Sequence, residues 1–165
     1  MSSLSEYGKE LAEKQKLKRW YNLRETQFRK YVKEVLSKRG KVEDASDALV
    51  AKLETRLDNV VFRLGFASQK AQARQLVSHR HFMVNGKRIN IPSYNVKKGD
   101  IIEVFPSSAK KTFFKNLGAT LKKSQPPSWL RLDPKTLKGE VIGLPTAQEA
   151  APPAEIAAIF EYYSR

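Results

Sequence analysis

The chain of 165 residues contains no cysteine. That excludes disulfide staples and thiolate metal centres, and it suits a reducing compartment. Only two histidines occur, His79 and His81. They stand at a helix end and in a strand with no further ligand type nearby, a poor arrangement for a metal. Acidic residues are scarce. Seventeen Asp and Glu face 31 Lys and Arg, for a net charge of +14 and a pI near 10.0. No apolar run reaches bilayer-spanning length, and no signal-peptide core follows Met1. No helix pairs a clean apolar face with a Lys/Arg-rich one, so no membrane partner is expected. There is no phosphate-cradling glycine-rich loop and no acid isolated in an apolar pocket motif. The expectation is therefore a non-enzyme without cofactor, metal or small-molecule substrate.

What is present is basic charge in blocks. Residues 7–40 carry net +7, residues 56–105 net +6 and residues 106–139 net +7, while 1–6, 41–55 and 140–165 are acidic connectors. Such a balance points to a polyanion, of which nucleic acid is the commonest. With 41% hydrophobic residues the chain can still bury a core. Its length suits one domain or two small ones.

The most informative stretch is Ser68–Gly86. Ser68 is placed to cap a helix. Ala73, Leu76 and Val77 form a buried stripe, and Lys70, Arg74 and Ser78 lie on one outer face. Phe82 and Val84 then alternate with polar neighbours, and Asn85-Gly86 signals a two-residue hairpin with Ile89 and Ile91 in the returning strand.

Elsewhere the spacing predicts a helix from Tyr7 to Trp20, and a second one capped by Thr26, running to Lys38 and stopped by Arg39-Gly40. Phe28, Tyr31, Val32, Val35 and Leu36 form the second helix's apolar stripe. A single longer helix is expected from Ser46 or Asp47 to Leu64, with Arg56 and Arg63 on one flank. Ile101–Phe105 reads as a strand. Phe113, Phe114, Leu117 and Leu121 place a helix in a basic region. Two short strands follow at Trp129–Asp133 and Gly139–Ile142. Residues 145–153 read as coil. Ile156, Ile159, Phe160 and Tyr163 have the spacing of a docked terminal helix.

The fold class is α+β: a mainly helical subdomain with an inserted compact α/β module of helix, helix, strand and hairpin. The helical part covers 1–50 and is completed by 136–165. The α/β part covers 51–135 and contains a compact unit at 56–105. The candidate central patch is Ser68, Lys70, Arg74, Ser78, His79 and Arg80, joined by Arg56, Arg63 and Lys87. Lys16, Lys18, Arg19, Arg24, Arg29 and Lys30 add a helical side. Folded RNA is read mainly through phosphates, 2′-hydroxyls and a few exposed bases.

Taken in order, Leu4-Ser-Glu-Tyr-Gly, Glu13-Lys-Gln-Lys, Gln27-Phe-Arg, Leu57-Asp-Asn-Val-Val-Phe-Arg-Leu-Gly-Phe, Ala73-Arg-Gln-Leu-Val-Ser-His, Val84-Asn-Gly and Tyr162-Tyr-Ser-Arg resemble small-subunit ribosomal protein four of bacteria and organelles. The chain starts almost at the first helix, without the N-terminal extension usual in that family. Any zinc site carried there by some members is not transferred. The loop at Leu144-Pro-Thr-Ala-Gln-Glu also lacks a basic residue often found after the family's proline. The resemblance implies that the unit at 56–105 is an RNA-binding module. It implies a structural, primary binder of small-subunit (16S-type) rRNA that nucleates assembly in the 5′ domain. It further implies contact with small-subunit ribosomal protein five, a place beside the channel through which mRNA enters, and an effect on translational accuracy. The location implied is the cytoplasmic ribosome, with an organellar ribosome as the alternative. Competing functions are a non-ribosomal RNA chaperone and an RNA-modifying factor that use the same module.

Overall fold

Residues 5–38 and 42–165 are described in the computed structural model. They divide into two units: the described residues up to Lys52 with Thr146–Arg165, and Leu53–Pro145.

The chain opens with α1 (Glu6–Trp20), capped by Ser5, whose Oγ accepts the Gly8 amide at 3.1 Å. Its thin apolar content is made up by long polar side chains: Glu10 and Lys14 are buried beside Leu17. α2 (Glu25–Ser37) buries Phe28, Tyr31, Val32 and Val35, as its stripe requires. Thr26 does not cap it. The helix starts two residues earlier, behind Arg24, which makes no side-chain capping bond. The stop expected at Arg39-Gly40 lies outside the described residues.

The single helix expected up to Leu64 is two, α3 (Val42–Glu54) and α4 (Leu57–Arg63). A loop breaks it. The Val96 amide donates to the Thr55 carbonyl at 2.9 Å and the Leu57 amide to the Tyr94 carbonyl at 2.8 Å. Arg56 between them is extended and bridges to Asn95. Backbone groups that would continue the helix are satisfied by this loop instead.

α5 (Lys70–Ser78) buries Ala73 and Val77 and leads into β1 (Phe82–Val84) and β2 (Lys87–Arg88). Asn85 and Gly86 have φ of 52° and 81°, the doubly left-handed pair of a type I′ turn. Val84 faces Lys87, so the connection is two residues long and Phe82 and Val84 point inward. The returning strand is shorter than expected. It ends at Arg88, and Ile91 is 55% exposed in the following loop. β3 (Ile101–Val104) is followed by three short helices where one was expected: α6 (Pro106–Ala109), α7 (Thr112–Lys115) and α8 (Leu117–Leu121). They bury Phe114, Leu117 and Leu121 and leave Phe113 exposed.

β4 (Leu130–Asp133) and β5 (Lys138–Val141) complete an antiparallel sheet ordered β2-β1-β3-β5-β4. Because β5 pairs with β3, residues 136–145 belong to the sheet unit, and the boundary read at 135/136 falls inside the last hairpin. Helices α4 and α5 share one core with the sheet, through Leu57, Val61, Leu64, Val77, Phe82, Ile102 and Val141. Gly139 of β5 lies hard against Leu64, and a Cβ there would overlap that side chain.

The chain then returns to the first unit. Residues 145–153 are not all coil: Thr146 caps α9 (Ala147–Ala150), whose first amide donates to Asp47 at 2.8 Å. α10 (Ile156–Tyr163) buries all four residues of its expected stripe. It packs on α1 and α2. Arg165 forks onto Glu10 at 2.8 and 3.0 Å, and Lys33 donates to the Tyr163 carbonyl at 2.7 Å.

Candidate nucleic-acid interface

The sheet unit holds 17 Lys and Arg against 6 Asp and Glu, so it carries +11 of the chain's +14. Two of those acids are turned inward. Arg56 is 2% exposed, and its Nε and Nη2 each lie 3.1 Å from the Asp58 carboxylate. This corrects the expectation that Arg56 contacts RNA: it is a buried strut at the α3–α4 break. Arg63 is half-buried and donates at 2.7 Å to Glu54, which is fully buried and also bonded by Asn59.

At the start of α5, Ser68 does not cap the helix. Gln69 holds that position, and the Gln72 side chain reaches back to accept the Ser68 amide at 2.9 Å and hydroxyl at 3.1 Å. Ser68 itself stays exposed. Lys70 is not on an outer face. Its ammonium sits 5.4 Å from the centre of the Phe62 ring. Burial, with Arg63 close by, pulls its pKa down to about 7. Arg74, one turn on, is half-buried, and Ser78 is exposed.

The other end of α5 is more open. His79 ends the helix, and Arg80 turns the chain with a φ of 67°. The Arg80 carbonyl accepts Arg88 Nε at 2.7 Å, while the Arg88 guanidinium lies 3.8 Å over the Phe105 ring. His81 Nδ1 is 2.7 Å from Ser108 Oγ. Burial lowers the His81 pKa, and the positive charges of Lys111, His79 and Arg88 lower it further. His79, Arg80, Lys87, Arg88 and Lys111 are thus exposed around one corner. Among the described residues no carboxylate pairs with Arg80, Lys87, Arg88 or Lys111. Clustered cations without counter-ions repel one another, and a run of phosphates relieves that repulsion.

In the helical unit the expected set divides. Lys16 is bridged to Glu13 at 2.7 Å and lines a groove of about 510 Å³ between α1 and α10, where Glu6, Glu10, Glu155 and Glu161 outnumber Lys9 and Lys16. Lys18 and Arg29 line a different, basic cleft. Arg19, Arg24 and Lys30 are exposed.

Known proteins agree with this layout. The S4 domain matches residues 55–102, and the Ribosomal protein S4/S9 N-terminal domain matches residues 1–54. A "Small ribosomal subunit protein uS4" of Caldicellulosiruptor bescii is 49% identical over 162 residues, 98% of this chain and 76% of that one. The Roseiflexus sp. (strain RS-1) protein of the same name is 46% identical over 164 residues, covering 98% and 78%. The chain belongs to the uS4 family. A Symbiobacterium thermophilum relative, "Small ribosomal subunit protein uS4A", is 43% identical over 161 residues.

Within the uS4 family's S4 domain, the sequence reading missed Arg88, and it omitted Lys110 and Lys111 just beyond that domain from the candidate set. The signal for Arg88 was available. A two-residue returning strand beside Asn85-Gly86 exposes both of its side chains, and the second is a base next to Lys87. Lys110 and Lys111 stand in the basic block 106–139, whose weak periodicity did not place them. They come into play because α6 folds back to put Ser108 on His81.

Proposed function

We propose that the protein is a structural constituent of the small ribosomal subunit that binds 16S-type rRNA, with no catalytic role. The supporting observation is identity of 43–49% to uS4 proteins across 98% of the chain. The unpaired cations at the open end of α5 supply the chemistry: phosphate and shape readout, with few base contacts. The central contact is formed by Arg74, Ser78, His79, Arg80 and Lys87, extended by Arg88 and Lys111. Ser68, Lys70 and Arg63 flank it. The helical side adds Lys18, Arg19, Arg24, Arg29 and Lys30. Lys16 is its least favourable member, because its groove is acidic. The finer reading is early binding that nucleates assembly in the 5′ domain, beside small-subunit ribosomal protein five and the channel through which mRNA enters. The cytoplasmic ribosome is the proposed location. Among the described residues no helix is long and apolar enough to cross a membrane.

The test is binding of the full chain to rRNA containing the 5′ domain, over a salt series. With ~6–10 phosphate contacts, affinity falls by roughly three to five orders of magnitude between 50 and 200 mM salt. Arg80→Glu lowers affinity more than Lys98→Glu, a turn residue before Gly99. A flat salt response, or equal losses for the two variants, would refute the proposed contact. Base modification of the RNA by the purified chain, with a methyl donor added for the methylation arm, would favour the RNA-modifying alternative.

A further inference from the structure

The basic cleft of the helical unit has a more definite chemistry than a charged face. Its volume is about 600 Å³, and it is walled by α1, α2 and the end of α10. Glu25, Arg29 and Lys33 follow one another at i, i+4 and i+8 on α2 and so share a face. Glu25 is fully engaged. Its Oε2 accepts Lys14 at 2.8 Å and Lys18 at 3.4 Å, and its Oε1 accepts the Tyr163 hydroxyl at 2.9 Å. Burial raises the Glu25 pKa, but those bonds outweigh it and hold the carboxylate ionised below its usual range.

The lining holds five cations, Lys14, Lys18, Arg29, Lys33 and Arg165, and this single carboxylate. One carboxylate bridging two lysines accounts for Lys14 and Lys18, and Glu10 accounts for Arg165. Arg29 is exposed, and among the described residues no carboxylate pairs with it. Lys33 donates to the Tyr163 carbonyl and lies 5.9 Å from the centre of its ring, and among the described residues no carboxylate pairs with it. In the lining, the Tyr7 and Tyr162 rings are 5.6 Å apart; Arg165 lies 5.8 Å from the centre of the Tyr7 ring and Lys14 4.8 Å from that of Tyr162, yet Tyr7 is still 50% exposed. A cation pair, a half-exposed aromatic side chain and the volume of a small ligand therefore meet in one place.

We propose that this cleft receives one unpaired nucleotide of the bound RNA, its phosphate at Arg29 and Lys33 and its base against Tyr7. The inference rests on the rRNA-binding reading. Arg grips phosphate with a planar fork, and aromatic side chains stack on bases that have left a helix rather than on paired ones. Pockets of roughly 300–1,000 Å³ take one small ligand, which matches a single nucleotide and not a duplex. Glu25 acts as the positioning residue. By tying Lys14, Lys18 and Tyr163 together it fixes the three helices so that the cleft is formed before RNA arrives.

The test uses the full chain and rRNA containing the 5′ domain, with circular dichroism melts to confirm that each variant is folded. Arg29→Ala is expected to lower affinity about fivefold and to reduce the log–log salt slope by about one. Tyr7→Leu is expected to lower affinity about tenfold and to leave the slope unchanged, since stacking is not a counter-ion effect. Ultraviolet irradiation of the parent complex should join Tyr7 or Tyr162 to one specific nucleotide, identified by mass spectrometry. If both variants bind like the parent and neither tyrosine crosslinks, the cleft assignment is overturned. Arg80→Glu separates the two ideas. Loss with that variant alone removes the cleft and keeps the rRNA reading, whereas a parent chain that does not bind rRNA removes both. Free adenosine monophosphate is the last arm. If it saturates the cleft without competing with rRNA, the occupant is a free nucleotide and the proposal fails.

Discussion

The two units carry basic side chains in opposite ways. In the helical unit four cations are stitched to carboxylates on neighbouring helices: Lys14 and Lys18 to Glu25, Lys52 to Glu34, Arg165 to Glu10. In the sheet unit the ion pairs of lowest exposure, Arg56–Asp58 and Arg63–Glu54, are internal, and the outer bases at the end of α5 have no counter-ion among the described residues. The helical unit has few apolar side chains on α1 and uses ion pairs to join its helices. The sheet unit has a continuous apolar core and can leave its surface charge for a ligand. Stability and binding should therefore separate more cleanly in the sheet unit than in the helical one.

The largest expected effect comes from removing α10. Deleting residues 154–165 strips Ile156, Ile159, Phe160 and Tyr163 from the helical unit, the two Ile and the Phe each worth roughly 1.5–3 kcal/mol as an upper bound. A thermal melt reads the loss. An unchanged melting temperature would mean that ion pairs, not α10, hold these helices.

Gly139→Ala is the matching probe of the sheet unit. Its new methyl would overlap Leu64, so overpacking should cost about 1–3 kcal/mol in a urea melt. A neutral result would show that the core between α4 and β5 yields more readily than its contacts imply.

Gly86→Val should be smaller, about 1–2 kcal/mol, because nothing crowds the site and the cost is the left-handed backbone alone. The turn sets the register that exposes Lys87 and Arg88, so RNA affinity should fall as well. Lys87→Ala should lower affinity and leave stability within about 0.5 kcal/mol. If the two variants behave alike, stability and binding do not separate at this hairpin.

The smallest effects are two pH dependences on opposite sides of neutrality. Glu25 has a lowered pKa in the folded chain, so its stabilisation is complete above the ordinary carboxylate range and is lost as pH falls through the folded value. Lys70, at about 7 when folded, binds fewer protons than in the unfolded chain up to the ordinary lysine pKa of about 10.4. Stability should therefore rise with pH across that window. Urea melts from acid to alkali, with Glu25→Gln and Lys70→Met, check both. The first variant should flatten the acid limb and the second the alkaline rise.

Where burial follows a simple period, the sequence was readable. The stripes on α2 and α10, the Asn85-Gly86 turn and the α+β class all follow from local pattern. What was not readable depends on distant chain. Nothing near Thr55 shows that residues 94–96 will take its hydrogen bonds and split a helix. The same applies to β5. Its four residues look like a minor strand, yet pairing with β3 moves the unit boundary ten residues. At the candidate site, basic residues could be counted but not placed. Arg56 and Arg63 lie on one helical flank by spacing, and only the fold shows Arg56 enclosed with Asp58 and Arg63 gripping Glu54. Lys16 and Lys18 are two residues apart and consequently line cavities of opposite charge.

The insertion of β5 between β3 and β4 also determines how the sheet unit can be cut. The S4 domain match stops at residue 102, part-way along β3, whose other side is closed by β5 through pairs such as Ile102 with Gly139. Without the last hairpin, β3 becomes an open edge with a row of unpaired amides and carbonyls, the template on which strands of separate molecules add to one another. A fragment ending at residue 109 should self-associate in light scattering, whereas one spanning 53–145 should stay monomeric. The hairpin of β4 and β5, which carries little of the candidate RNA surface, thus acts as a guard against aggregation once it has paired with β3.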